Sequence, residues 1–296
     1  MTPTVAVMSP GDMGHAVASV LNQAGLRVIT QLGGRSERTR ALAACAGIEA
    51  IADDAALVQD ADVLLSILVP AEAMALAERI AGALRASDAD LLYVDCNAIA
   101  PQTARRIGEV VEAAGGRFVD AGIIGPPPQP GVSSTRFYAS GKDAAAFAGL
   151  ADFGLDVRLV GDQPGHASAL KMCYAAITKG TTALMTELAV AAERLGVSEA
   201  LRTEFAQSQP ALLERMQRAV PDMVPKAHRW VGEMEEIAKT FGACGLTPLT
   251  FEGAAAVYDF VARSSLGRTT PEEWRREGRP FDDIVATLAQ TRPLPD

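Results

Sequence analysis

The stretch Thr4-Val-Ala-Val-Met-Ser-Pro-Gly-Asp-Met-Gly-His-Ala16 decides the fold of this 296-residue chain. Thr4 to Met8 is a short β-branched and apolar run, as a buried strand requires, and Gly14 to Ala24 is Ala-rich with few breakers, as a helix requires. Gly11-Asp12-Met13-Gly14 falls at the turn between them. Backbone N–H groups at such a helix start bind a pyrophosphate, and glycines let the phosphate approach closely. The full fingerprint has a further glycine at position 9, where this chain has Ser9, and two glycines alone also suit a plain tight turn. Their place after the first strand of a βαβ unit is what favours a dinucleotide.

The same alternation continues outward. Strands are predicted at Arg27 to Thr30, Val63 to Leu68, Leu91 to Asp95, Arg117 to Asp120, Arg136 to Ser140 and Val157 to Val160. Helical segments such as Glu37 to Ala46 and Ala71 to Leu84 lie between them, so a parallel sheet with helices on both faces is expected. After Gly161-Asp-Gln-Pro-Gly165 the strand-like runs stop. His166 to Gly196 reads as one long helix, apolar nearly all round and therefore expected to be buried between domains or subunits. The rest reads as helical, with breaks at Pro210, Pro221, Pro225, Gly245 and Pro248 and a strong helix start at Thr269-Thr-Pro-Glu-Glu-Trp274. The expected architecture is α/β: a Rossmann-type doubly wound parallel sheet over residues 1–163, then an all-α domain over 164–296 for substrate and dimerisation.

Composition narrows the function classes. The net charge of -9 argues against nucleic acid or an anionic membrane as partner, because phosphate binding needs clustered Lys and Arg. Cys45, Cys96, Cys173 and Cys244 fit neither a zinc site nor a disulfide framework, and three histidines are too dispersed for a metal centre. No segment approaches a membrane span, and Met1 to Pro10 lacks an export pattern, so a cytoplasmic protein acting on a small molecule is expected.

The second strand runs into Gln31-Leu-Gly-Gly-Arg-Ser-Glu-Arg38, where an NAD-specific fold places a carboxylate for the ribose 2′-hydroxyl. Arg35, Ser36 and Arg38 instead offer two guanidinium groups and a hydroxyl, which suits the 2′-phosphate of NADP(H). Asp53 and Asp54 come too late to supply the acid. In the long helix, Lys171 stands among apolar neighbours, where desolvation favours the neutral amine and a role as general acid or base. At about 100° per residue, Tyr174, Ala175 and Thr178 fall within about 60° of Lys171 and form the expected substrate wall.

Five blocks in register now carry a resemblance over the whole chain. They are the opening turn, Leu68-Val69-Pro70, Val94-Asp-Cys-Asn-Ala-Ile-Ala-Pro101, Asp120-Ala-Gly-Ile-Ile-Gly125 and Gly165-His-Ala-Ser-Ala-Leu-Lys171. Together they resemble the β-hydroxyacid dehydrogenase family, which includes 3-hydroxyisobutyrate dehydrogenase and is related to 6-phosphogluconate dehydrogenase. The C-terminal half, with Arg229-x-x-x-Glu233-Met-Glu-Glu-Ile237, looks closest to an uncharacterised branch of it. The resemblance implies that Gly11, Asp12, Met13 and Gly14 bind the pyrophosphate side of NADP(H) and that Arg35 and Ser36 bind the 2′-phosphate. It further implies that Leu68, Val69 and Pro70 flank the ribose, that Asn97 lies beside the nicotinamide, and that Lys171 is catalytic.

The chain also departs from the family. Asparagines are usual at the third and fourth positions after the lysine, where this chain has Tyr174 and Ala175, so Tyr174 or Thr178 is the candidate replacement. In the segment Ile123-Ile124-Gly125, Ile124 stands where the family has a carboxylate-gripping serine. Glu233 stands near a position where many members carry a lysine. His228, Arg229 and Trp230 could close a pocket, and Glu235 and Glu236 read as a solvated face. The expected activity is hydride transfer between NADP(H) and a small hydroxy or carbonyl compound. An imine reductase and a catalytically silent NADPH-binding protein are the alternatives, and a homodimer joined through the apolar helix is expected.

Overall fold

The computed structural model describes residues 2–129, 131 and 134–291. The chain divides into two compact units, one up to Met172 and one from Cys173 onward.

The first unit is built on eight strands: β1 (Val5–Met8), β2 (Val28–Gln31), β3 (Glu49–Ile51), β4 (Val63–Ser66), β5 (Leu92–Asp95), β6 (Arg117–Ile124), β7 (Arg136–Ser140) and β8 (Asp156–Gly161). They form one sheet in the order β3-β2-β1-β4-β5-β6-β7-β8, parallel throughout except for the antiparallel β6/β7 pair. Among the described residues six α-helices accompany it: α1 (Asp12–Gln23), α2 (Glu37–Cys45), α3 (Asp54–Asp60), α4 (Ala73–Arg85), α5 (Pro101–Glu112) and α6 (Ala144–Ala148). The central strands are apolar without alternation because both their faces are covered. Val5, Val7, Leu65 and Val94 face one core with Val17, Leu21 and Phe147, and Ala6, Met8, Leu64 and Tyr93 face the other with Leu76, Ile80 and Ile107.

The structure bears out the mostly parallel sheet followed by a helical region, with differences in detail. Strand β3 was not expected: it is three residues long, with Glu49 and Ala50 exposed, and carries little apolar signal. Strand β6 does not end at Asp120 but runs on through Gly122 to Ile124, paired with β7.

Helix α7 (His166–Arg194) starts in the first unit and continues into the second. The second unit then adds α8 (Ser198–Ser208), α9 (Pro210–Met223), α10 (Ala227–Ala243), α11 (Leu249–Arg263), α12 (Pro271–Glu277) and α13 (Phe281–Ala289). Its core gathers Met216, Val220, Met234, Ile237, Tyr258, Val261, Ile284 and Leu288, all buried. Pro221 does not break α9. It lies two residues before the helix ends at Met223, where losing one ladder bond disturbs little of the helix. Thr270 caps α12 through a reciprocal pair of bonds with Glu273, as the sequence motif predicts. Helix α7 is not buried all round: Met172, Ala175, Ala183 and Met185 face inward, whereas Tyr174, Ile177 and Leu184 are exposed.

Candidate active site

The strand order reverses between β1 and β4, and in an open parallel sheet the crevice at the carboxyl ends of the strands at such a point is where ligands bind. The turn after β1 lies there. Ser9 keeps the left-handed conformation (φ 60°) that the missing glycine would adopt easily, and its carbonyl accepts the Gly11 N–H at 2.6 Å. A Cβ on Gly14 would lie 3.1 Å from the Ser9 carbonyl oxygen and 3.4 Å from Val7 Cγ1, so this glycine lets α1 start close against the turn.

Beyond β2, Ser36 is the N-cap of α2, its Oγ accepting the Thr39 N–H at 3.2 Å. Arg38 donates to Asp12 at 2.6 Å, which ties the second loop to the Gly11 to Gly14 turn. Arg35 is half-buried, and its Nε is buried with no hydrogen-bond partner among the described residues. That orphaned donor lies beside a helix N-terminus, a place where anions bind.

The third segment is organised by Asn97. This buried amide donates to Ser66 Oγ (2.8 Å) and Asp95 Oδ2 (3.0 Å), and its Oδ1 accepts the Leu68 N–H at 2.5 Å. Asn97 therefore fixes the start of Leu68-Val69-Pro70, and Val69 itself is exposed. The Asp95 carboxyl is fully buried, and burial above all, helped by the neighbouring charge of Asp120, pushes its pKa up to about 7 against the two Asn97 hydrogen bonds.

Lys171 lies on β6. Its Nζ donates to the Ile123 carbonyl oxygen at 2.6 Å, at the carboxyl end of the strand. Gly122 makes this possible: a Cβ there would lie 2.9 Å from Lys171 Cβ and 3.1 Å from the Ala167 carbonyl. The side chains of Ile123 and Ile124 are buried in the strand, so from Ile123 it is the carbonyl that meets Lys171.

The first unit thus brings the Gly11 to Gly14 turn, Arg35 to Arg38, Leu68 to Pro70, Asn97, Ile123 to Gly125 and Lys171 to one edge of its sheet. The other named residues belong to the second unit. Tyr174 is exposed, and the Thr178 hydroxyl returns to its own helix, donating to the Tyr174 carbonyl at 3.1 Å. Trp230 packs edge-on against Tyr258 at 5.2 Å. Glu233 forms an ion pair with Lys179, a residue that no sequence motif marks. The Lys179 ammonium lies 4.8 Å from the Trp230 ring centroid, and burial lowers its pKa against the pull of Glu233. Its sequence signal is the one Lys171 shows, an amine in an apolar helix, recurring eight residues later. Glu236 is not on a solvated face: it is buried and pairs with Lys239 at 2.6 Å, whereas Glu235 is exposed. No His/Cys/Asp/Glu group able to hold a metal ion occurs among the described residues, and no helix among them is long and apolar enough to cross a membrane.

Both units have counterparts among known proteins. Residues 4–150 match the NAD binding domain of 6-phosphogluconate dehydrogenase, and residues 192–261 match a domain of unknown function, DUF1932. A conserved protein of unknown function, whose structure is described as similar to 3-hydroxyacid dehydrogenases, is 29% identical over 88% of this chain and 96% of that one, with a TM-score of 0.65. The 3-hydroxyisobutyrate dehydrogenase of Mycobacterium tuberculosis, 19% identical, shares the fold over 97% of this chain and 99% of that one, with a TM-score of 0.70. An uncharacterised 28.5 kDa protein of Methanothermus fervidus, from the 7S RNA 5′ region, is 30% identical over 60% of this chain, and the match spans 66% of that relative's length. The first unit is an NAD-binding domain of the dehydrogenase type, on a fold shared with 3-hydroxyisobutyrate dehydrogenase. The chain belongs to the β-hydroxyacid dehydrogenase-like family, in an uncharacterised branch marked by the DUF1932 segment.

Proposed function

We propose that this protein is an NADP(H)-dependent dehydrogenase or reductase acting on a small hydroxy or carbonyl compound, with Lys171 as general acid and base. The observation that carries the reading is the Lys171 ammonium, held at 2.6 Å by the Ile123 carbonyl on the same sheet edge as the Gly11 to Gly14 turn. When bound, the nicotinamide supplies or accepts the hydride. In reduction, Lys171 gives a proton to the carbonyl oxygen as the C–H bond forms; in oxidation, the neutral amine takes the hydroxyl proton. Gly11, Asp12, Met13 and Gly14 cradle the pyrophosphate, Leu68, Val69 and Pro70 flank the ribose, and Asn97 holds that loop. Arg35, Ser36 and Arg38 take the 2′-phosphate, with Arg35 foremost because its Nε is buried and unpartnered.

On the first unit the substrate candidates are Ile123, Ile124 and Gly125; on the helical unit they are Tyr174, Thr178, Trp230 and Glu233. With a buried Ile124 in place of a serine, a weakly anionic carbonyl compound fits better than a simple hydroxy acid. We also propose a cytoplasmic homodimer. A groove of about 650 Å³, lined by Ile177, Leu184, Phe241, Leu249 and Phe251 among others, gives an apolar face for a second copy to cover, and light scattering at micromolar concentration reads its mass.

The test is turnover on panels of small carbonyl compounds and cyclic imines. Lys171→Ala is expected to lower the best rate by about 100- to 10,000-fold while the NADPH Kd stays within about twofold. Undiminished turnover removes Lys171 from the chemistry, and a preference for cyclic imines favours the imine reductase alternative. Arg35→Ala is expected to weaken NADPH by about 10- to 100-fold and NADH little; equal losses on both remove the 2′-phosphate reading.

A further inference from the structure

We infer that Asp120 is the positioning residue of the active-site lysine: a buried carboxylate on β6 that sets where α7 begins and so where Lys171 lies. The inference rests on the reading of Lys171 as the catalytic amine.

A helix leaves its first N–H groups without partners inside the helix, and a buried helix start needs acceptors for them. Here they come from the sheet. Asp120 Oδ2 accepts the Gly165 N–H at 2.8 Å and the Ser168 N–H at 3.0 Å, and Asp120 Oδ1 accepts the Ser168 hydroxyl at 2.5 Å. Ser140 Oγ donates to Asp120 Oδ2 at 3.0 Å and accepts the Ala167 N–H at 3.0 Å. Asp120, Ser140 and Ser168 are all buried, so water cannot replace these bonds. The carboxylate also meets the positive end of the dipole of a 29-residue helix.

Geometry then passes directly to Lys171. Ser168 and Lys171 are three residues apart and share a helix face. Three residues beyond Asp120 on β6, the Ile123 carbonyl receives the Lys171 ammonium, and Gly122 between them leaves room for the lysine stem. One strand thus supplies the anchor, the clearance and the acceptor. Shifting the helix by even a fraction of a turn would move the amine off the Ile123 carbonyl.

The test reads lysine reactivity and needs no substrate. The intact protein is treated with trace acetic anhydride, and acetylation of each lysine is counted by mass spectrometry. Lys142, exposed on the first unit, and Lys179, buried against Glu233, serve as internal references. In Asp120→Asn, Lys171 is expected to acetylate at least about fivefold faster relative to both references, because the amine leaves its backbone acceptor. Ser168→Ala, a milder change that keeps the carboxylate, should give about a twofold rise and serves where Asp120→Asn fails to fold. Unchanged Lys171 reactivity in the variant that folds overturns the inference. So does a parallel rise at Lys179, which would mean general loosening. Neither result bears on whether Lys171→Ala abolishes turnover, so the two readings fail separately.

Discussion

Two stretches of α7 each hold a lysine, and they hold it by different means. From Gly165 to Met172 the helix rests on β6, with Asp120 and Ser140 taking its first N–H groups and the Ile123 carbonyl taking Lys171. From Thr178 to Thr186 the hydroxyls of Thr178, Thr181, Thr182 and Thr186 turn back onto the preceding helical turn, and Lys179 meets the Glu233 carboxylate and the face of Trp230. The difference teaches that an amine in an apolar helix is defined by what faces it. A carbonyl is a neutral acceptor, whereas a carboxylate with an aromatic face commits the charge to the fold.

The sharpest way to break this contrast is to remove each amine in turn. Lys179→Met takes the ammonium away from the half-buried Glu233 carboxylate, and a loss of about 1.5–3 kcal/mol is expected in denaturant unfolding. Adding Glu233→Leu should restore most of it, since a well-packed apolar pair often equals a buried ion pair. Lys171→Met removes a bond to a carbonyl and should cost about 1 kcal/mol. If Lys171→Met proves as destabilising as Lys179→Met, the two lysines play the same structural role and the contrast collapses.

An effect spread over pH tests the acidic footing of the first stretch. Asp95 and Asp120 are paired in register on neighbouring strands, and the Asp95 pKa stands at about 7 in the folded protein. The unfolded chain has an ordinary aspartate, near about 4, so the folded state binds this proton more tightly. Its contribution is therefore fully present below about pH 4 and is lost as the pH rises through about 7. The Tm of wild type relative to Asp95→Asn should fall across that window and then level off, at about 2–4 °C for each kcal/mol. Parallel Tm curves for the two proteins would show that Asp95 is ionised throughout.

These residues also show how far the sequence could be read. The strands of the central sheet and the turn at Gly11 to Gly14 were legible because local pattern causes them: unbroken apolar runs where both faces are covered, and glycines where a helix starts tightly. The continuation of β6 was not, because Gly122 reads as a strand breaker until Lys171 is seen to need the space. The bond from Arg38 to Asp12 joins residues 26 apart, and the pair of Lys179 with Glu233 joins residues 54 apart. Neither follows from local pattern. Lys171 stood out by its motif, whereas Lys179, with no motif around it, did not. Asp120 lay inside a quoted block, but its work as the anchor of α7 depends on a helix start 45 residues away.

The smallest expected effect concerns the turn that opens the sheet edge. Ser9 is the one non-glycine residue at positive φ among the described residues, and a side chain there costs about 1–2 kcal/mol relative to glycine. Ser9→Gly removes that strain but loosens the unfolded chain, which takes back about 0.5–1 kcal/mol. A net gain of up to about 1 kcal/mol should remain, seen as a Tm rise of about 2–4 °C in thermal unfolding. Gly14→Ala should act in the opposite direction, since its Cβ would press on the Ser9 carbonyl and Val7. A Tm that falls in Ser9→Gly would mean that the serine hydroxyl stabilises the turn by more than its backbone strains it. The Ser9 position would then join Lys171 as a place where side-chain contacts outweigh what the local pattern prefers.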